Sequence, residues 1–386
     1  MTVPTGLGAG AQPAGPPWVR TPSACYAEAM KRLLLAAVLL LLLVPAAWLL
    51  AEWRFEAAVQ DWAAARRAEG WAVRSGPAAW AGFPFRAALV LPDVALSSPG
   101  PAAAARGARP PVAPAAAGPA PGGLDWAVPR LELGLSPLHP LTLALRPLGA
   151  QRLRLAPLPP LAVEAEDARI AVPLRPAPGS PAADSAIVAT ATALRLAALD
   201  GGTASAASLS LLLVLHPGAP RDAAAATVQL DATDVALPAL PAALRTLSLA
   251  GAVEGPLAAR PTPAATAAAW RDGGGRVVLQ RFAAQWGDLA ATGSATLTLD
   301  GALQPAATAT VRLAGYDAAL DALAASGTIG PGTARVARAV LGLMAQPDAG
   351  GAHGVELPVT WRSGVVSAGQ IPLLRTPPVA WSLGAE

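Results

Sequence analysis

The hydrophobic and polar positions divide the chain into a short apolar part and a long alternating part. Residues 33–51 (LLLAAVLLLLLVPAAWLLA) contain no charged residue, and a helix of this length spans the hydrocarbon core of a bilayer. Lys31 and Arg32 precede the run, whereas the segment after it mixes acidic and basic residues. The positive-inside rule therefore predicts a single transmembrane helix, a cytoplasmic N-terminus, and the bulk of the chain across the membrane.

A cleaved signal peptide is the alternative to an uncleaved anchor. The apolar core of a signal peptide is usually about 7–15 residues long, shorter than this run, so we predict an anchor. Trp48 and Trp53 lie where an interfacial aromatic belt is expected, and we predict that both contact the membrane surface. Residues 1–32 are predicted to be a disordered cytoplasmic tail. Because Met30 directly precedes Lys31 and the apolar run, we hypothesise that translation starts there, which N-terminal sequencing would test.

Residues 52–70 predict an amphipathic stalk helix that continues from the membrane. Phe55, Val59 and Trp62 recur at helical spacing on one face, and Gly70 ends the pattern. Two interpretations of the nearby aromatic residues stay open: they form a small core that packs the stalk onto a sheet, or they contact the membrane surface. The residues concerned are Trp53, Trp62, Trp71, Trp80, Phe83 and Phe85.

Apolar and polar residues alternate along most of the chain after residue 70. Alternation places one face of a strand on apolar surface and the other on water, and many such strands at short spacing indicate antiparallel pairing. We predict a mainly β fold of the α+β class, in which residues 71–386 form one domain with an extended, curved antiparallel β-sheet and a few short helices. The clearest alternating runs are 131–135, 227–232, 295–300 and 308–313, and the helices are predicted at 262–271, 316–325 and 333–344.

Two segments depart from the alternation. Residues 99–123 contain only Pro, Gly, Ala, Arg and Val, so they cannot bury a core, and we predict a disordered loop inside the domain. Residues 209–215 contain a single polar residue, Ser210, so both faces of that strand are apolar. The strand is either buried on both sides or lines an apolar groove, and the lining residues would be Leu209, Leu211, Leu213 and Leu215.

Composition and motifs exclude several classes of function. The net charge of +3 is small for 386 residues and gives no reason to predict nucleic-acid binding. Cys25 is the only cysteine, so the part after the anchor has neither a disulfide nor a zinc–thiolate site. The chain contains no Walker A, H-E-x-x-H or G-x-S-x-G motif. We therefore predict no cofactor and no metal.

Glu164 and Glu166 are the strongest candidates for catalysis. If residues 161–174 form one strand, the two carboxylates share a face and could bind a cation or act in acid–base chemistry. The simpler interpretation is a solvated strand face, so we expect a protein that is not an enzyme.

Four short segments carry a resemblance to a known family. They are RRAEGWAV at 66–73, GFPFR at 82–86, DWAVP at 125–129 and LSPLH at 135–139. In this order, behind an N-terminal anchor, they resemble the bacterial envelope proteins of domain-of-unknown-function family 2125. The alternation at 287–301 is similar to that of AsmA-like envelope proteins, which have one anchor and extended sheets with an apolar groove and are linked to lipid transport. The resemblance implies a bacterial inner membrane and a periplasmic domain, and supplies no catalytic residue.

Three functions follow as hypotheses. In the first, the sheet shelters or transfers a lipid or another apolar ligand along a groove. In the second, the protein is a non-enzymatic scaffold or assembly factor of the envelope that binds a protein partner. In the third, Glu164 and Glu166 catalyse a reaction. An open apolar trough would favour the first hypothesis, and a closed, filled core the second.

Overall fold

The computed structural model describes most of the chain in separate ranges. They are 23–82, 87–98, 124–136, 139–155, 158–174, 185–198, 201–216, 218–220, 223–238, 240–256, 262–327, 329–347, 353–369 and 371–381. Within them, side chains are described except at 23–29, 36–47, 51, 344, 346–347, 353 and 373–374. The predicted loop at 99–123 therefore lies outside the described residues, as do Phe83 and Phe85.

The chain divides into two compact units, Met1–Trp53 and Arg54–Glu386. The first unit contains the start of helix α1 (Ser23–Ala68), so residues 23–32, assigned above to a disordered tail, are helical. Among the described residues, no helix combines the length and the apolar character that crossing a membrane requires. The predicted span at 33–51 lies on α1, but the side chains of 36–47 and 51 are outside the described part.

The second unit is built on one antiparallel sheet, which in the described residues has 19 strands. The strands are β1 (Ala72–Arg74), β2 (Ala79–Ala81), β3 (Ala87–Ser97), β4 (Leu124–Ser136), β5 (His139–Leu148), β6 (Gln151–Leu155), β7 (Leu161–Glu164), β8 (Asp167–Pro173), β9 (Ser185–Ala198), β10 (Thr203–Leu215), β11 (Ala224–Val235), β12 (Leu244–Glu254), β13 (Arg276–Trp286), β14 (Leu289–Leu299), β15 (Pro305–Ala314), β16 (Gln346–Pro347), β17 (His353–Arg362), β18 (Val365–Ala368) and β19 (Ile371–Arg375). The predicted mainly β, antiparallel fold is thus confirmed.

Short connections make the sheet a meander. β3 pairs with β1, β2 and β4, and β4 pairs with both β5 and β6. β5 pairs with β8, β6 with β7, and β7 and β8 both pair with β9. From β9 to β15 each strand pairs with its successor, and β17, β18 and β19 continue the order after β15. Within the described ranges β1 and β2 pair only with β3, and β19 pairs only with β18, so the sheet is open at both edges.

Three short helices interrupt the meander at the predicted places. They are α2 (Pro263–Asp272), α3 (Tyr316–Ala325) and α4 (Pro331–Met344). Thr262 caps α2, because its Oγ1 accepts a hydrogen bond from the Ala265 backbone N–H at 3.0 Å. Pro263 opens that helix at a position that needs no N–H donor.

The end of α1 that belongs to the second unit packs on the sheet. Phe55 is 9% exposed and lies in a buried cluster with Leu89 and Leu91 of β3 and with residues of β4. Its ring centroid is 6.3 Å from that of Trp80, with 55° between the ring planes. Trp62, predicted on the same face, is 50% exposed, and Ala63 is buried instead. Ala63 lies four residues after Val59, which also packs on this cluster, so Phe55, Val59 and Ala63 follow one another at i, i+4 and i+8 along one stripe of the helix.

Candidate functional site

The strand register places apolar residues from neighbouring strands in continuous rows on one face of the sheet, called the apolar face below. The row through Leu211 takes one residue from each of twelve strands: Leu89, Leu133, Leu145, Ile170, Ala189, Leu211, Leu230, Leu249, Phe282, Gly293, Val311 and Leu357. The row through Leu213 consists of Ile187, Leu213, Val228, Gly251, Leu279, Ala295, Ala309, Val359, Ala368 and Ile371.

Two further rows flank these. The row through Leu209 consists of Ala168, Ala191, Leu209, Ala232, Leu247, Ala284, Ala291, Leu313 and Val355. The row through Leu215 consists of Ser185, Leu215, Ala226, Val253, Val277, Leu297, Ala307, Trp361, Val366 and Leu374, and is apolar except at Ser185. The four leucines singled out from the sequence therefore each belong to one row.

The opposite face of the same strands is more polar, although Val188, Leu212 and Val214 also lie on it. Its row through Ser210 consists of Thr190, Ser210, Asp231, Ser248, Ala283, Thr292, Arg312 and Glu356. Side chains there bond to one another, as where the Ser248 hydroxyl donates to Asp231 Oδ1 at 2.6 Å. The sheet is therefore amphipathic across its width, with water on the polar face.

A β-bulge keeps the apolar face continuous between β12 and β13. Leu249 pairs with Phe282 and Gly251 with Leu279, so the register shifts by one residue between these pairs. The extra residue in β13 keeps the apolar residues on both sides of the bulge on the same face of the sheet. Bulges also bend the strand that carries them. Gly293 lies opposite Phe282, and a Cβ there would meet the Phe282 ring at 2.7 Å and collide with the Thr310 carbonyl oxygen.

Helices pack at the margins of the apolar face. Ala319 of α3 is buried in a cluster with Leu194, Ala206, Ala232, Val235, Leu244 and Trp286, and Leu209 packs against it. Near the other end of β12 and β13, the Trp270 Nε1–H of α2 donates to the Glu254 carbonyl at 2.9 Å. Leu211, Leu213 and Leu215 are half-buried and belong to neither core cluster of the described residues. Among the residues that the structure describes, the middle of the apolar face is thus the part that neither core cluster covers.

The two candidate carboxylates are not equivalent. The predicted strand at 161–174 is broken into β7, which ends at Glu164, and β8, which starts after Glu166. The break lies opposite Ala193, whose φ of 48° is unusual for a residue with a side chain. Both residues are exposed, but Glu164 lies opposite Arg195 in the strand register and lines a cavity of about 530 Å³, whereas Glu166 does not line it.

This cavity is the feature near the carboxylates that sequence patterns missed. Besides Glu164 and Arg195 it is lined by Thr203, Ser205 and Leu237, which come from the start of β10 and the chain after β11. The described residues contain no group of three or more His, Cys, Asp or Glu that could hold a metal ion. The cavity therefore presents one carboxyl group, one guanidinium cation and hydroxyl groups.

A comparison with protein families gives one match. The model of the family described as an uncharacterized protein conserved in bacteria, DUF2125, matches residues 48–377. The chain belongs to this family. No curated protein and no solved structure matches it, and the weaker AsmA-like resemblance is not confirmed.

This DUF2125 protein has further features near its predicted membrane end. Trp53 is exposed and Trp48 is half-buried. Glu52, which the sequence analysis did not single out, is 6% exposed, and its Oε1 has no hydrogen-bond partner among the described residues. Burial raises the pKa of the Glu52 carboxyl above its ordinary value.

Proposed function

We propose that this DUF2125 protein is anchored in the bacterial inner membrane and that its periplasmic sheet shelters or transfers a lipid or another apolar ligand. The observation that carries the proposal is the set of four apolar rows, whose middle residues are half-buried. Burial of apolar side chains is favourable by roughly 25 cal/mol per Å² removed from water, so a ligand made of hydrocarbon gains by covering this surface.

The dimensions of the apolar face suit the long acyl chains of lipids. Neighbouring strands lie about 4.8 Å apart. The part of the row through Leu211 that lies outside the buried cluster around Phe55 runs from Ile170 to Leu357 over nine strands, so it extends roughly 40 Å along the sheet. The hydrocarbon core of a whole bilayer is about 30 Å thick. Acyl chains of ordinary length therefore fit within one row, in line or side by side in neighbouring rows.

The anchor is the second part of the proposal. The uncharged run at 33–51 follows Lys31 and Arg32, and the exposed Trp53 lies just beyond it. A helix satisfies its own backbone hydrogen bonds in hydrocarbon, which makes a single anchor sufficient. A reporter fused to the C-terminus should be active in the periplasm, and activity only in the cytosol would contradict this topology.

Site-specific photocrosslinking tests the ligand directly. Leu213 and Leu212 are adjacent leucines of β10, but Leu213 belongs to an apolar row whereas Leu212 pairs with Val188 and Gln229 on the other face. A photoreactive phenylalanine analogue replaces each residue in turn in the full chain, in cells with radiolabelled lipids. We expect a lipid adduct at position 213 and little or none at 212.

The control positions make the result decisive. Absence of an adduct at position 213, or equal adducts at 213 and 212, would overturn the proposal. Retention of strand signal in circular dichroism must be shown for both variants, because a misfolded chain would bind lipid without regard to face.

The open edges of the sheet favour a second candidate function, a non-enzymatic scaffold of the envelope. β19 has an unpaired side in the described residues, and an unpaired strand edge is a template for a strand of another protein. Crosslinking from the exposed Arg375 of β19 should then give one dominant protein partner. Several weak products, or none, would remove this candidate.

A further inference from the structure

Helix α4 presents an apolar stripe to the outside of the protein. Val336, Val340 and Leu343 occupy positions i, i+4 and i+7 and so lie on one side of the helix. Val336 is 65% and Leu343 89% exposed, and Val340 is exposed as well. These three residues are called the outer stripe below.

The outer stripe is not the side of α4 that packs against the rest of the protein. The inner side of α4 carries Ala334, which is buried, and Leu341, which is half-buried. Arg338 fixes the helix to α3, because its guanidinium bonds to Asp317 at 3.0 Å and to Asp321 at 2.5 Å. With the inner side packed and Arg338 held, the outer stripe points away from the sheet.

The charged residues of α4 indicate which kind of surface the outer stripe binds. The helix contains Arg335 and Arg338 and neither Asp nor Glu. Arg335 is exposed next to Val336, donates only to the Pro331 carbonyl at 3.4 Å, and has no ion pair within the described ranges. Arg338 is neutralised by Asp317 and Asp321, so Arg335 is the cation of α4 that is left to meet an anionic surface. An exposed apolar side flanked by a cation has the character of helices that lie in the interface of an anionic bilayer.

We propose that α4 binds the surface of an anionic lipid bilayer through the outer stripe, with Arg335 against the phosphate groups. The helix packs against α3, which closes one end of the apolar face through Ala319. A bilayer bound at α4 therefore lies beside that end. In this respect the inference rests on the proposed function, since a carrier of apolar ligands needs a place where its sheet meets a membrane.

Fluorescence of a label at position 343 tests the binding. In a Cys25→Ser background, Leu343→Cys carries an environment-sensitive dye in the full chain, and Thr190→Cys carries it on the polar face as a matched control. Each protein is mixed with vesicles of phosphatidylethanolamine and phosphatidylglycerol that contain nitroxide-labelled lipid, or with vesicles of phosphatidylcholine. We expect a blue shift and quenching at 343 in the anionic vesicles, severalfold stronger than at 190.

The charge contribution has its own variant. Arg335→Gln in the Leu343→Cys protein should weaken the quenching in anionic vesicles and leave the signal in phosphatidylcholine vesicles nearly unchanged. Screening by added salt should have the same effect as the substitution, because the attraction to anionic lipid is electrostatic.

Three results would overturn the inference. They are no quenching at 343, equal quenching at 343 and 190, or a blue shift that grows with protein concentration without vesicles, which would assign the outer stripe to a second copy of the chain. The proposed function is tested separately at position 213. A lipid adduct there without quenching at 343 would refute only the binding of α4, and the reverse result would refute only the carriage of lipid.

Discussion

Replacing Phe55 with alanine tests how the end of α1 is held on the sheet. The ring is 9% exposed, packs with Leu89 and Leu91, and lies against the indole of Trp80. Loss of a buried Phe side chain to Ala costs about 3–5 kcal/mol, part of which is the aromatic pair at about 0.5–1.5 kcal/mol. Because proteins are stable by only about 5–15 kcal/mol, Phe55→Ala should remove a large share of the free energy of unfolding.

The measurement is urea unfolding of the full chain in a mild detergent, followed by circular dichroism of the strand signal. Trp62→Ala is the matched control: it removes a larger side chain from the same helix, but one that is 50% exposed. We expect it to change the free energy of unfolding by less than about 1 kcal/mol. A loss below about 1 kcal/mol for Phe55→Ala, or equal losses for both variants, would show that α1 does not pack on the sheet through Phe55.

Three further substitutions test the backbone and the buried groups. Gly293→Ala should destabilise the fold by about 1–3 kcal/mol because its methyl group meets a neighbouring carbonyl, whereas Gly301→Ala, with open space around it, should be nearly neutral; equal urea midpoints would refute this. Trp270→Phe leaves the Glu254 carbonyl without its donor and should cost about 1–3 kcal/mol, so an unchanged melting temperature would speak against that bond. Burial raises the folded-state pKa of the Glu52 carboxyl, so its contribution to the free energy of unfolding is intact below the unfolded-state pKa and is lost as pH rises toward the folded-state pKa. Glu52→Gln should abolish this loss in melting curves at acidic and neutral pH, and an unaltered pH dependence would contradict the prediction.

The sequence predicts the sheet well because the alternation has a direct physical cause. In residues 295–299, Ala295 and Leu297 lie in apolar rows, and Thr296 lies opposite Thr308 on the other face. A strand that buries one face must alternate apolar and polar residues, whichever strand it pairs with. The same pattern does not reveal which strands are neighbours, so the length of the rows could not be predicted from it.

Part of the apolar face consists of glycines and alanines, which a pattern of large hydrophobic residues does not reveal. Gly251 and Gly293 interrupt the apparent pattern, but their register positions put them in rows between leucine, valine and phenylalanine. Ala63 likewise gives a weaker signal than Trp62, so the packing face of α1 was assigned to the larger side chain. In both cases the backbone position determines the face on which the residue lies, and the small side chain gives little hydrophobic signal in the sequence.

The site around Glu164 depends on contacts between segments that are distant in sequence. Its partner Arg195 lies on β9, and Ser205 and Leu237 of the same cavity come from still later in the chain. The condition that residues 161–174 form one strand is not met, because the strand breaks between Glu164 and Glu166. Local periodicity cannot predict a break that is set opposite the unusual backbone of Ala193.

Under the proposed function, the chemistry of the rows favours a lipid over a protein as the ligand of the apolar face. The rows through Leu211 and Leu213 contain no polar side chain, whereas protein interfaces usually make about one hydrogen bond per 100–200 Å². A rigid partner would also have to match the bulge of β13 opposite Ala250 and Gly251, while a hydrocarbon chain adapts to it. Soluble proteins rarely expose an apolar patch of more than a few hundred Å², so a face of this width calls for a cover. A flexible apolar molecule meets both conditions, and the polar backbone edge at β19 is the place where a protein partner would bind instead.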